Sequence, residues 1–339
     1  MKDRRNSINY IFHSLLRTGA HTRELLFMDM QLAIMSSDER LLRNLCRELY
    51  SWEEKSQMTV HSERYECIVD YTDSAPYWRS LLSRNPIRSA SNEVYERIEL
   101  YKVLDGFAVV LGEFGVILKS NTSKIVCLVD DKEGKRYSGD PCNIGTAAQI
   151  LTTDFLMQKG HFLVHSGAVS RNGRCQLWTG PGGSGKTTRV LEMVAEGWDF
   201  CGDDLVSLLK DDHGIWRVRP YKPTVQVTPD TCTRLPQLKN LAAQKQQSGK
   251  YTFPIDRFFS VKIPRIATLD SIYFLCKDGM DPCQRLSMSE ALERLAPCFM
   301  YFLWPKDAQN VLDALLDIIL NIPVYVVSRT MSPLSGSEI

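Results

Sequence analysis

The run Gly180-Pro181-Gly182-Gly183-Ser184-Gly185-Lys186-Thr187 constrains this chain more than any other stretch of it. Glycine reaches positive-φ backbone conformations that other residues avoid. A segment this rich in it can turn successive N–H groups into one concavity. An apolar run, Gln176–Thr179, leads into the segment, and a helical pattern over Thr187–Glu196, ended by Gly197, leads out of it. Strand, glycine-rich turn and helix together are the setting in which G-x-x-x-x-G-K-[ST] cradles phosphate oxygens. The helix start adds the positive end of its dipole. Lys186 is placed to neutralise the β- and γ-phosphates, and the Thr187 hydroxyl to bind Mg²⁺. The reading is a nucleotide site built from Gly180, Pro181, Gly182, Gly183, Ser184, Gly185, Lys186, Thr187 and Thr188. A glycine-rich surface turn is the bland alternative, and the flanking strand and helix argue against it.

Asp203 and Asp204 lie 17 and 18 positions after Lys186. One helix and one short strand, Trp198–Cys201, fill that gap, so the end of the strand returns beside the phosphate loop. Adjacent acids after a strand are often a solvated turn. Next to such a loop, one can serve Mg²⁺ and the other can accept a proton from an incoming hydroxyl. His165, inside the apolar strand Phe162–Val169, reads on spacing alone as a core histidine. Phosphoryl transfer also needs positive charge beyond Lys186, for which Arg219, Lys222, Lys262 and Arg265 are the candidates. An oligomer could instead supply one in trans.

The spacing of apolar residues divides the rest of the chain. Leu41, Leu42, Leu45 and Leu49 give Asp38–Trp52 a helical face, with Ser37 or Asp38 as its cap. Cys67–Tyr71 reads as a strand and Trp78–Ser91 as irregular. Ile98–Val103, Phe107–Leu111, Val116–Leu118 and Lys124–Val129, with turns at Asp105-Gly106 and Asp130–Lys135, predict an antiparallel sheet. Asn143–Lys159 reads as a helix ended by Gly160, and Asn172-Gly173 as a turn. Leu205–Leu209 and Ile215–Arg219 form a hairpin across Asp211–Gly214. Residues 236–259 read as a polar mobile loop. Ile272–Leu275 and Val324–Val327 are strands, and Ser287–Leu295 and Asp307–Leu320 helices. The organisation expected is a small α+β domain over 1–140, which could recognise substrate, an α/β domain with a mixed, strongly curved sheet over 141–330, and a disordered tail over 331–339.

Composition narrows the class. With 41 basic and 40 acidic residues the net charge is +1, which gives no nucleic-acid or membrane-surface signature. Lys2, Arg4 and Arg5 precede no apolar run of signal length. The most apolar tract, Val311–Val327, is broken by Asp313, Asp317 and Pro323. The 10 cysteines are scattered singly from Cys46 to Cys298, without a C-x-x-C pair, as expected for reduced thiols in a cytoplasmic enzyme.

The order His165-Ser166-Gly167-Ala168-Val169, then Gly180–Thr187, then Gly202-Asp203-Asp204 resembles the HPr kinase/phosphorylase-like family of P-loop kinases, itself related in fold to ATP-dependent phosphoenolpyruvate carboxykinases. The resemblance spans about residues 143–330. It implies that His165 lies near the phosphates, that Asp203 is the general base for a serine hydroxyl, and that Asp204 is a metal ligand or supports one. Lys186 and Thr187 carry over directly. Thr188 stands where HPr kinases proper have an acid, and their downstream glycine-rich signature has no counterpart. The sequence is closer to HPr kinase-related proteins of biosynthetic clusters, including kinases of lasso peptide precursors. The activity so implied is an ATP- and Mg²⁺-dependent kinase acting on Ser or Thr of a peptide or small protein, one that could be encoded in the same gene cluster. The alternatives are a kinase of a small molecule such as a free amino acid or sugar, and a nucleotide-dependent switch that transfers nothing.

Overall fold

A computed structural model describes residues 7–17, 20–27, 30–49, 64–71, 76–82, 85–90, 98–111, 115–121, 124–129, 151–242, 249–276, 283–299 and 305–328. The chain divides into two units, Met1–Phe155 and Leu156–Ile339. The expected boundary near 140, the turn at Asp130–Lys135, the first half of the helix expected from Asn143, the basic N-terminal residues and the 331–339 tail lie outside the described residues. No described helix is long and apolar enough to cross a membrane.

The first unit is one mixed sheet in the order β1-β2-β3-β8-β7-β6-β5-β4. Its strands are β1 (His21–Phe27), β2 (Met30–Ser36), β3 (Arg64–Tyr71), β4 (Arg88–Ala90), β5 (Ile98–Val103), β6 (Gly106–Leu111), β7 (Gly115–Ser120) and β8 (Ile125–Val129). From β5 to β8 the strands pair antiparallel, as expected, and β4, inside the stretch read as irregular, joins β5 antiparallel. The pairs β2–β3 and β3–β8 are parallel, so the sheet as a whole is mixed. Parallel neighbours need a crossover, and α2 (Glu39–Leu49) supplies it between β2 and β3. Asp38 caps that helix by accepting from the Leu41 N–H at 2.8 Å, while Ser37 donates its hydroxyl to Asp70.

Helix α1 (Ile8–Leu16), which the apolar pattern did not single out, buries Ile8, Ile11, Phe12 and Leu15. They fall at positions i, i+3, i+4 and i+7, one helical face. That face meets Ala108, Val116, Leu118 and Val126 of the sheet. The Asp105 carboxylate accepts from the Ile8 and Asn9 N–H groups at 2.8 and 3.0 Å. The residue that marks a turn in the sequence therefore also ties down the start of a helix.

The second unit carries the phosphate-loop motif. Its strands are β9 (His161–His165), β10 (Gly167–Arg171), β11 (Arg174–Thr179), β12 (Asp199–Gly202), β13 (Leu205–Lys210), β14 (Trp216–Pro220), β15 (Thr224–Val227), β16 (Tyr251–Pro254), β17 (Ala267–Cys276), β18 (Gln284–Arg285) and β19 (Val324–Ser328). The main path runs β12-β10-β11-β17-β14-β13-β9. Strand β17 forks the sheet: it is parallel to β11 and to β19, and antiparallel to β14.

Two long segments break where the sheet turns over. The strand expected over Phe162–Val169 stops at Ser166 and restarts as β10, and the segment β12–β13 stops at Asp203-Asp204. The halves stay paired, β10 with β12 and β9 with β13. The two corners are joined by a hydrogen bond from the Ser166 N–H to the Asp204 carbonyl at 3.1 Å. The acid pair thus occupies a corner of the sheet.

Helices cover the sheet from two cores. Helix α3 (Lys186–Ala195) shares one core with β15, β16 and α4 (Pro229–Arg234), through Val190, Leu191, Val225, Val227, Cys232 and Phe253. Helices α6 (Met288–Leu295) and α7 (Pro305–Asn321) close the other. The segment read as a polar mobile loop is structured where it is described. A 3₁₀ turn and the short α5 (Lys239–Ala242) precede β16, and Leu238, Leu241, Tyr251, Phe253, Ile255 and Phe259 are buried. Tyr251, Phe253 and Ile255 alternate with the period of a strand, a signal too short to stand out among polar neighbours.

Candidate active site

The loop between β11 and α3 has the backbone its glycines permit. Gly180, Gly183 and Gly185 take φ values of 140°, 72° and 101°, a region that side chains disfavour. At Gly180 a Cβ would also lie 2.6 Å from the Leu275 carbonyl oxygen. Pro181, Gly182 and Gly183 are exposed, and Lys186 is buried at the first turn of α3. Its ammonium donates to the Gly180 and Pro181 carbonyls at 2.7 and 3.2 Å. Burial pulls the Lys186 pKa below the usual lysine value, and the charges of Asp204 and Asp203 work against that.

The corner acids face opposite ways. Asp203 is 5% exposed, and its Oδ1 accepts from the Thr187 hydroxyl at 2.9 Å. Its Oδ2 meets the Gln226 N–H at 3.4 Å. Burial pushes the Asp203 pKa up to about 6, against the hydrogen bond from Thr187. Asp204 turns outward with its side chain 60% exposed, on a backbone with φ of 68°. His165 Nδ1 lies 2.9 Å from the Asp204 carbonyl and 3.1 Å from its Oδ1. Both neighbours are acceptors, so Nδ1 carries the proton. That hydrogen bond holds the Asp204 carboxyl below the usual carboxylate range. His165 is therefore no core histidine: its side chain is 40% exposed and oriented by Asp204.

Several residues support the site. Gly167 lets α3 approach β10, since a Cβ there would lie 2.5 Å from Val190 Cγ2 and 3.8 Å from Asp203 Oδ1. The Thr188 hydroxyl pairs with Thr231 of α4 at 2.9 Å, so its side chain braces the helix. The Cys298 thiol neighbours Lys186, Thr179 and Gly180, and burial pushes its pKa up. Nonlocal approach alone brings Gln226, Thr231 and Cys298 here, and no local pattern could have named them. Of the four cations chosen from the sequence, Arg219 lies in β14 opposite Ser207 and Lys222 packs over the Tyr221 ring. Lys262 and Arg265 are exposed on the segment before β17.

No family model matches this chain, and no curated protein matches it. Among solved structures it is similar to the Hpr(Ser) kinase/phosphatase from Coxiella burnetii. The identity is 13%, over 51% of this chain and 82% of that one, with a TM-score of 0.29. A likeness of that size transfers no chemistry, so the site is read from its own residues.

Those residues fit a magnesium nucleotide. The glycines leave the loop free of side chains at Gly180, Gly182, Gly183 and Gly185, and a helix N-terminus stands behind it. The buried Ser184 hydroxyl has no protein partner, a polar group that asks for one. Among the described residues no group of three or more His, Cys, Asp or Glu side chains gathers as a metal cage. Mg²⁺ seldom uses one, taking one or two carboxylates with phosphate oxygens and water, and Thr187 with Asp203 offers that kind of half-shell.

Proposed function

We propose that the chain is an ATP- and Mg²⁺-dependent kinase that moves the γ-phosphoryl group to the hydroxyl of a serine or threonine in a peptide or small protein. The observation that carries this reading is the corner of the sheet, where one acid reaches the phosphate-loop threonine and the next faces outward beside a histidine. A protein that only bound nucleotide would need the first contact and not the second.

The roles follow from position. Gly180–Gly185 and Lys186 hold the β- and γ-phosphates. Mg²⁺ would lie with Thr187 and Asp203 and lower the phosphate charge. The acceptor oxygen forms a bond to the γ-phosphorus as the bond from that phosphorus to the β-bridging oxygen breaks, and ADP leaves with the electron pair. The hydroxyl proton passes to a carboxylate and then to solvent. Asp203 was expected to take that proton and Asp204 to serve the metal; exposure supports the reverse. Asp203 has the more basic carboxyl, but it is buried against Thr187. In a loose transition state the proton moves late, so access outweighs basicity, and Asp204 is the exposed acid. His165 fixes its direction. An acid on an open rim, beside the exposed Pro181–Gly183, suits an acceptor laid across the site more than an enclosed small molecule.

The test is mass spectrometry after incubation with ATP, Mg²⁺ and candidate acceptors, including any short peptide encoded beside the gene. The expected product is a peptide one phosphate heavier, absent with Lys186→Ala and Asp204→Asn. Nucleotide binding without transfer to any peptide, or transfer undiminished in Asp204→Asn, would overturn the reading.

A further inference from the structure

Resting on that reading, we infer that Thr231 is a positioning residue for Mg²⁺: through Thr188 it holds the Thr187 hydroxyl at the spacing from Asp203 that the ion requires.

Thr187 and Thr188 are consecutive in the first turn of α3 and hold different partners. Thr187 donates to Asp203 Oδ1 at 2.9 Å. The Thr188 hydroxyl meets that of Thr231 at 2.9 Å, and Thr231 meets the Thr228 hydroxyl at 3.2 Å. Thr228 caps α4 by accepting from the Thr231 N–H. Two residues back along the chain, in β15, the Gln226 N–H points at Asp203 Oδ2 at 3.4 Å. The path therefore closes on itself, from Thr187 through Asp203, Gln226, Thr228, Thr231 and Thr188 back to Thr187. Both ligands offered to Mg²⁺ are members of this ring. Thr231, 5% exposed, is the link between α4 and the phosphate-loop helix. The apolar core shared by Val190, Leu191, Val225 and Val227 keeps α3 beside the ribbon. A buried hydroxyl pair adds a fixed distance and direction to that packing.

Mg²⁺ is sensitive to such detail. It demands a near-ideal octahedron with bonds of about 2.0–2.1 Å, so two neighbouring ligand oxygens lie about 2.9 Å apart. The Thr187 and Asp203 oxygens already stand 2.9 Å apart. A valine at 231 would fill nearly the same volume, but it would take this partner from the Thr188 hydroxyl and let the first turn of α3 shift. Partners that orient a metal ligand typically contribute about 10- to 100-fold in metal affinity.

Binding of ADP with Mg²⁺, with Ca²⁺ and in EDTA separates positioning from mere support, and needs no known acceptor. In the wild-type protein Mg·ADP should bind much tighter than ADP in EDTA. Thr231→Val should weaken Mg·ADP about 10- to 100-fold. ADP in EDTA should weaken far less, and so should Ca·ADP, because Ca²⁺ accepts longer bonds and a more flexible geometry. Thr231→Ser, which keeps the hydroxyl, should stay near wild type. Thr188→Val breaks the same bond from the other side and should reproduce the pattern, so the role stays testable if Thr231→Val does not fold. Equal losses under all three conditions, or Mg·ADP bound as tightly as in wild type by either valine variant, overturn the role of Thr231 and leave the kinase reading standing. A wild-type protein that binds no ADP, or gains nothing from Mg²⁺, overturns the kinase reading and this inference with it.

Discussion

Asp203→Asn should make the nucleotide-free protein more stable while it weakens Mg·ATP binding. The Asp203 carboxyl has its pKa raised from 3.8 to about 6 by burial. Each unit corresponds to roughly 1.4 kcal/mol, so keeping this group ionised in the folded state costs at most about 3 kcal/mol. Asparagine removes the charge and keeps an oxygen that can accept from Thr187. It loses the long contact with the Gln226 N–H, worth about 1 kcal/mol. The net gain is about 2 kcal/mol at pH 8. For a unit of this size that is a rise in Tm of about 4–8 °C.

The sign with pH is the sharper part. The folded-state pKa lies above the unfolded one, so the native state holds the proton more tightly. The penalty is absent below about pH 4 and complete only above about pH 6. The gap in Tm between variant and wild type should therefore open as pH rises through 6 and close at acid pH, where only the lost Gln226 contact remains. Thermal unfolding in EDTA, without nucleotide, from pH 4.5 to 8.5 measures it. A variant less stable than wild type at pH 8, or a gap constant across the range, would refute the claim that burial of this charge sets its energetics.

Other residues give shorter tests. In the wild-type protein Mg·ATP at about 100 times its Kd should add about 2.7 kcal/mol of stability, and Lys186→Ala should abolish that thermal shift. Gly167→Ala should destabilise by about 1–3 kcal/mol through the clash with Val190 and slow transfer; adding Val190→Ala should recover part of the stability, as read by denaturant midpoint. Asp204→Gly removes a side chain from a backbone at φ 68°, so it should hold or raise stability by up to about 1 kcal/mol while phosphopeptide formation falls at least 100-fold, about what a lost acid–base group costs.

What the sequence disclosed depended on how local each feature is. The phosphate loop needs only the glycines that allow its φ values and the strand and helix on either side, all within about twenty residues, so its place and cradle were legible. The distance of the acid pair from Lys186 was legible too, because one helix and one strand must bring the chain back. The direction of each acid was not. Consecutive residues on an ordinary strand point to opposite faces, but the sheet turns over at this corner and Asp204 adopts a left-handed conformation, so which acid meets Thr187 depends on a backbone break that no spacing shows. The break at Ser166 is of the same kind: its hydrogen bond to Asp204 spans 38 positions. The ribbon is the extreme case. Its two strands are short and separated by α4 and α5, so neither reads as a strand until the other is beside it. The glycine pattern locates the loop and its backbone, whereas the side chains gathered around it are set by pairings too distant in sequence to leave a local pattern.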